Sequence, residues 1–199
     1  MANAQTFAFF TKSKQALKHL TLLGAIVFSG CKDSAQPWQS LGETTTETRL
    51  LQDFTEITAS HNLQLFVKQD LTQPQSITIT YGKNALKGIV SEVVNKQLNL
   101  DDRNKGKWLR NLNELPLCTL NLHQINKIHL DGNAKMVCLD TLRTQALHLT
   151  INSVEQQNLL IQCGQLYGGL ENSGYLTASG RATAATSVSF HERASASAK

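Results

Sequence analysis

The chain has 199 residues, 41% hydrophobic and 17% charged, enough for one domain with a buried core plus appendages. Its formal charge of +4 falls largely before Cys31, where Lys12, Lys14 and Lys18 lie and no Asp or Glu does. The remainder is almost neutral, so bulk charge gives no case for nucleic acid and no such partner is expected.

The first feature is an apolar run over residues 20–30, "LTLLGAIVFSG". It is too short to span a bilayer as a helix, which takes about 20 residues. Basic residues precede it and the small Ser29 and Gly30 close it, the order of a secretory signal. Residues 1–30 are therefore expected to be removed, an N-terminal core helix being the alternative. "VFSGC", ending at Cys31, resembles the lipobox of bacterial lipoproteins, with Phe28 in place of the usual Leu. That resemblance implies a lipoprotein whose Cys31 carries acyl chains such as palmitate and becomes the new N-terminus. Lys32 stands where Asp would imply inner-membrane retention, so the outer membrane is the implied location. Each buried methylene of an acyl chain adds about 0.8 kcal/mol to membrane binding, enough for a stable anchor when chains are multiplied. Residues 31–49 are polar and rich in Thr and Glu, which reads as a tether.

From residue 50 to residue 199 the reading is all-β. "NLQLFVKQ" (62–69), "SITITYG" (76–82), "KQLNLDD" (96–102) and "CTLNLHQ" (118–124) alternate apolar and polar residues as half-buried strands do. "NALKGIVSEVV" (84–94) fits either a helical turn or a strand. The second half repeats at a spacing of about twenty, with windows beginning at Ile128, His148, Gly168 and Val188. These windows predict Leu130, Thr150, Leu170 and Phe190 in register, as in a solenoid whose turns stack strand on strand. An antiparallel sandwich is the competing architecture. The same spacing separates Cys118 from Cys138 and places them on neighbouring strands, as a disulfide or as two buried thiols. Cys163 falls off this register and is expected to be unpaired.

Several of these stretches together, "FTEITASHNLQLFVKQ", "SITITYGKNALKGIVSEVVNKQLNLD", "IHLDGNAKM" and "LENSGYLTASG", resemble the auto-transporter adhesin head GIN domain, a domain of unknown function found in secreted bacterial lipoproteins. The resemblance runs from residue 50 to residue 199. It implies a right-handed parallel β-solenoid with an irregular N-terminal β-portion. The Ser-Gly-x-Gly turns usual in that family are diluted here to "DGNA", "INSV" and "ENSG".

No catalytic, cofactor or metal site emerges from the motifs. His61, His123, His129, His148 and His191 show no ligand spacing, and a chance site from His123 and His129 near Cys118 is outweighed by solvated histidines. Hydrolysis of a glycan would need two carboxylates across a groove, about 5–10 Å apart. Asp131, Asp140, Glu155, Glu171 and Glu192 do not recur at the repeat spacing, although Glu171 and Glu192 are nearly in register. The one basic and aromatic cluster is "DDRNKGKWLR" (101–110), where Arg103, Lys105, Lys107 and Trp108 form a candidate ligand-contact loop against a solvated-hairpin alternative. The leading expectation is a non-catalytic, lipid-anchored outer-membrane protein of the cell envelope. Its solenoid, adhesin-like or structural, would meet a surface glycan or an envelope protein. The alternatives are a polysaccharide-acting β-helix lyase or hydrolase and a regulatory partner domain.

Overall fold

The computed structural model of the protein describes residues 40–105, 114–171, 175–190 and 195–198. The expectations for Cys31, Lys107, Trp108 and Glu192 fall outside them. The described residues are all-β, apart from a 3-10 turn at Leu86–Gly88. The strands are β1 (Thr44–Leu50), β2 (Glu56–Ser60), β3 (Gln64–Gln69), β4 (Ser76–Gly82), β5 (Ile89–Val94), β6 (Gln97–Asp102) and β7 (Leu117–Leu122). They continue with β8 (Lys127–Gly132), β9 (Lys135–Cys138), β10 (Leu142–Ser153), β11 (Gln156–Leu170), β12 (Tyr175–Phe190) and β13 (Ser195–Ala198). The stretch left open above resolves into both readings, the 3-10 turn followed by β5.

Hydrogen bonding joins the strands into one mixed sheet in the order β1-β4-β7-β3-β9-β11-β10-β8-β2-β6-β5, with β12 on β11 and β13 on β12. The long strands serve two neighbours. The second half of β10 lies parallel to β8, while nearly the whole of β10 lies parallel to the second half of β11. The first half of β11 meets β9 through Asn158 and Val137. Each tier of chain is thus laid on the one before, and side chains of one parity form columns across the tiers. Leu100, Ala59, Leu130, Ile151 and Leu170 make one such column, every member buried. Alternate residues on the other side, such as His148 and Gln162, face solvent.

The tier made by β2 and β3 is not the bottom of the stack. After β3 the chain leaves it, carries β4 to β7, and returns at β8. On the way it slides β6 alongside β2, opposite β8, and β7 alongside β3, opposite β9. The three antiparallel pairings, β1 with β4, β4 with β7 and β5 with β6, all belong to this excursion and the strand that closes it. Arg49 then ties the two end strands of the sheet order. From β1 its Nη1 donates to the Ile89 carbonyl at 2.7 Å and to Ser91 Oγ at 3.0 Å, both on β5.

Three expectations are corrected. Residues 44–49, read as tether, belong to β1; it is a sheet edge exposed along most of its length, so no apolar alternation marks it. Leu130 faces Ile151 and not Thr150. A one-residue slip turns every side chain to the other face, and the fully buried Ile151 wins over the half-exposed Thr150. The Leu170–Phe190 pairing holds. Cys118 and Cys138 are not neighbours, because β3 lies between them: Cys118 faces Leu65 and Cys138 faces Val67. Two strand spacings, about 9–10 Å, exceed disulfide reach, and Cys118, Cys138 and Cys163 are free, buried thiols.

Candidate functional site

The basic loop begins where β6 ends, and its two acids have different surroundings. Asp102 is buried, and its Oδ1 accepts from the Asn104 backbone N–H at 3.0 Å and from Asn104 Nδ2 at 2.8 Å. Asn104 Nδ2 also donates to the Ala85 carbonyl at 2.8 Å, so the root of the loop is fixed to the 3-10 turn. Gly88 is required there, since a Cβ would overlap the Asn104 side chain. Asp101 points outward. Arg103 Nε donates to Asp101 Oδ2 at 3.2 Å, and His61 Nδ1 lies 2.6 Å from Asp101 Oδ1. His61 itself sits at φ 64, the left-handed region that few side chains adopt. The charge of Arg103 is therefore shared with Asp101, and Lys105 is exposed.

Surface hollows among the described residues include three. One of about 240 Å³ lies over Phe54 with Asp53, Gln75, Lys96 and His123 at its walls. Its Gln75 donates through Nε2 to Asp53 Oδ1 at 3.2 Å. A second, about 290 Å³, is bounded by Thr44, Gln64, Tyr81 and Glu114. The third is larger, about 450 Å³, and carries two arginines, Arg143 and Arg181, with Gln145, Gln162 and Gly164 among its lining.

The backbone beneath Arg143 is held from an unusual direction. Gln69, at the end of β3, accepts through Oε1 from the Arg143 N–H at 2.7 Å and donates through Nε2 to the Arg143 carbonyl at 3.0 Å. That side-chain amide mimics one residue of a neighbouring strand. Its Nε2 also donates to the His123 carbonyl at 2.7 Å. Sequence reading missed this hollow. The repeat windows centre on the turns near Gly132 and Val154, whereas Arg143, Gln162 and Arg181 are in register with one another away from those turns. The available signal was their equal spacing along the chain.

Residues 53–199 match the model of the family described as putative auto-transporter adhesin, head GIN domain. The chain belongs to that family. Among curated proteins none matches it. Solved structures similar to this head GIN chain include a putative adhesin from Bacteroides fragilis, 12% identical with a TM-score of 0.49, covering 79% of this chain and 97% of that one. A putative adhesin from Parabacteroides merdae is 10% identical with a TM-score of 0.48, over 80% and 98% of the two chains. A putative lipid binding protein from Parabacteroides distasonis is 12% identical with a TM-score of 0.36, over 79% and 97%.

In this head GIN chain the described histidines are dispersed, and His191 lies outside the described residues. His123 Nε2 lies 2.7 Å from the Gln73 carbonyl, and His148 stacks on Tyr167 with ring centroids 4.5 Å apart. Cys118 points into the core, away from both His123 and His129. Among the described residues no three His, Cys, Asp or Glu side chains gather as a metal site would require. Asp131 accepts from Asn152 Nδ2 at 2.8 Å, a ladder contact between tiers.

Proposed function

We propose that this head GIN protein is a non-catalytic binding module held at the bacterial cell envelope by a lipid anchor on Cys31. In this reading residues 1–30 are removed and the short polar segment before Thr44 lifts the domain from the outer membrane. The tiers wind as a right-handed parallel solenoid. The observation that carries the location is "VFSGC" following a basic and then apolar leader. Support for binding comes from the division of labour along the strands. Inward columns are apolar and packed, while outward positions on β10 and β11 present Arg, Gln, His and Tyr on a rigid scaffold. Rigid elements hold ligand-contacting groups better than loops do. A surface glycan or an envelope protein is the partner class this surface suits. The loop of Arg103, Lys105, Lys107 and Trp108 is a second contact, weakened at Arg103 by its Asp101 pair.

Expression in a Gram-negative host tests the anchor. The wild-type chain should fractionate with outer membranes, with an acylated N-terminal cysteine by intact mass. Cys31→Ser should move it to a soluble or unprocessed pool. Retention of Met1 in the mature protein, or fractionation unchanged by the substitution, would show that the anchor is absent.

A further inference from the structure

We propose that the hollow between Arg143 and Arg181 binds the carboxylate or other oxyanion groups of an acidic polysaccharide. This names a ligand class for the binding face proposed above and rests on that reading. Arg143 of β10 is in register with Gln162 of β11, and Gln162 is in register with Arg181 of β12. Residues in direct register project to the same side of a sheet, so the three side chains form one outward row. The row places two guanidinium-bearing positions two strand spacings apart, about 9–10 Å, with an amide between them.

Neither arginine side chain is committed to another described residue. Among the described residues no carboxylate lies within ion-pair distance of Arg143 or Arg181, and no hydrogen bond engages either guanidinium. The acid nearest in sequence, Asp140, accepts instead from the Gln69 backbone N–H at 3.0 and 3.2 Å. Two like charges facing one hollow repel each other, and an anion between them relieves that repulsion. The planar fork of a guanidinium matches carboxylate and phosphate oxygens in pairs, which a lysine cannot do.

The hollow is shaped as well as charged. Gly164 lies two residues beyond Gln162 along β11, and a Cβ there would lie 2.8 Å from the Gln145 carbonyl oxygen. The missing side chain lets the backbone of β11 come close to that of β10 beside Gln145, at the wall of the hollow. Gln69 fixes the backbone of Arg143 through two hydrogen bonds, so that arginine rises from a braced strand. The rest of the lining is Gln124, Thr144, Gln145 and Gln162, with the buried Cys163 at the base. Amides and a hydroxyl both donate and accept, as sugar hydroxyls require. Among the described residues no large apolar side chain lines the hollow to receive an acyl chain. A hydrophilic polyanion fits this lining better than a lipid does.

The test is calorimetric titration of the full chain with polygalacturonate, with dextran of similar length as the neutral control. The wild-type chain should bind polygalacturonate and not dextran, with affinity falling as salt rises. Arg143→Gln and Arg181→Gln should each weaken binding by about 5-fold or more, and the double variant should abolish it. A melting temperature close to wild type shows that the variants fold, as exposed positions allow. Arg143→Lys should recover only part of the affinity, because charge alone lacks the fork. Wild-type affinity in the double variant, or equal binding of dextran, overturns the proposal. So does arginine-dependent binding to phosphatidylglycerol vesicles without binding to polygalacturonate. Loss of polygalacturonate binding in Lys105→Ala with full binding in the double arginine variant also overturns it, and leaves the wider binding reading intact.

Discussion

Cys118 and Cys138 are small core residues whose ionisation the core suppresses: burial pushes the Cys118 thiol up to about 12 and the Cys138 thiol up to about 11, from an ordinary value of 9.0. The folded state therefore keeps these protons longer than the unfolded chain does. Their contribution to stability is complete below about pH 9 and declines as pH rises from there towards 11–12. Urea midpoints measured between pH 8 and pH 10.5 should fall more steeply for the wild-type chain than for Cys118→Ala/Cys138→Ala. Parallel curves would contradict the burial. Iodoacetamide at pH 8 should leave both thiols unlabelled until urea unfolds the protein. At this scale the candidate site was only partly legible. Arg103 was visible as a cation, yet its sharing of Asp101 with His61 depends on β2 and β6 being neighbours, which nothing local announces. Arg143 and Arg181 are far apart in sequence and meet only through the register of β10, β11 and β12.

Strands were legible where burial differs between their two faces. β3, β4, β6 and β7 alternate apolar and polar side chains because one face is packed and the other wet. β1 lacked that contrast. Register was harder, because successive tiers differ in length: His148 faces Lys127 on one side and Tyr167 on the other. A corner device also went unseen. Gln157 is fully buried among apolar neighbours, and its Oε1 accepts from the Met136 N–H at 2.6 Å. Its Nε2 donates to the Ala134 carbonyl at 3.0 Å and to the Glu155 carbonyl at 2.9 Å. One amide thus satisfies backbone groups where β9 and β11 pair only briefly. Gln157→Leu adds apolar surface to the core and still should destabilise the domain by about 1–3 kcal/mol, because the Met136 N–H and the Glu155 carbonyl lose this partner, while the Ala134 carbonyl keeps Ser153 Oγ at 2.7 Å. The outward Gln156→Leu should stay within about 0.5 kcal/mol. Urea unfolding of both variants checks this, and equal effects would mean that the amide contributes nothing.

At the scale of the molecule, the all-β class follows from the alternation of apolar and polar residues, the stacked second half from the repeat, and the family resemblance from motifs spread over the whole domain. The excursion between β3 and β8 was not foreseeable, since its strands look like any other half-buried strands. What it does to the order of assembly is the larger consequence. β10, β11 and β12 find their partners within one tier of chain, so closing those loops costs little entropy. β2 has no such neighbour: Ile57 waits for Leu98 on one side and for Ile128 on the other. Distant pairing slows folding. The last-made part of the chain should therefore form its sheet first, and the first-made strands should be inserted into it late. Pulsed hydrogen exchange during refolding of the full chain should show β10 and β11 amides protected before those of β2 and β3, and the reverse order would contradict this. A chain emerging from its N-terminus would then expose Ile57, Leu65 and Val67 until β8 and β9 arrive. That interval is when this protein most needs a chaperone.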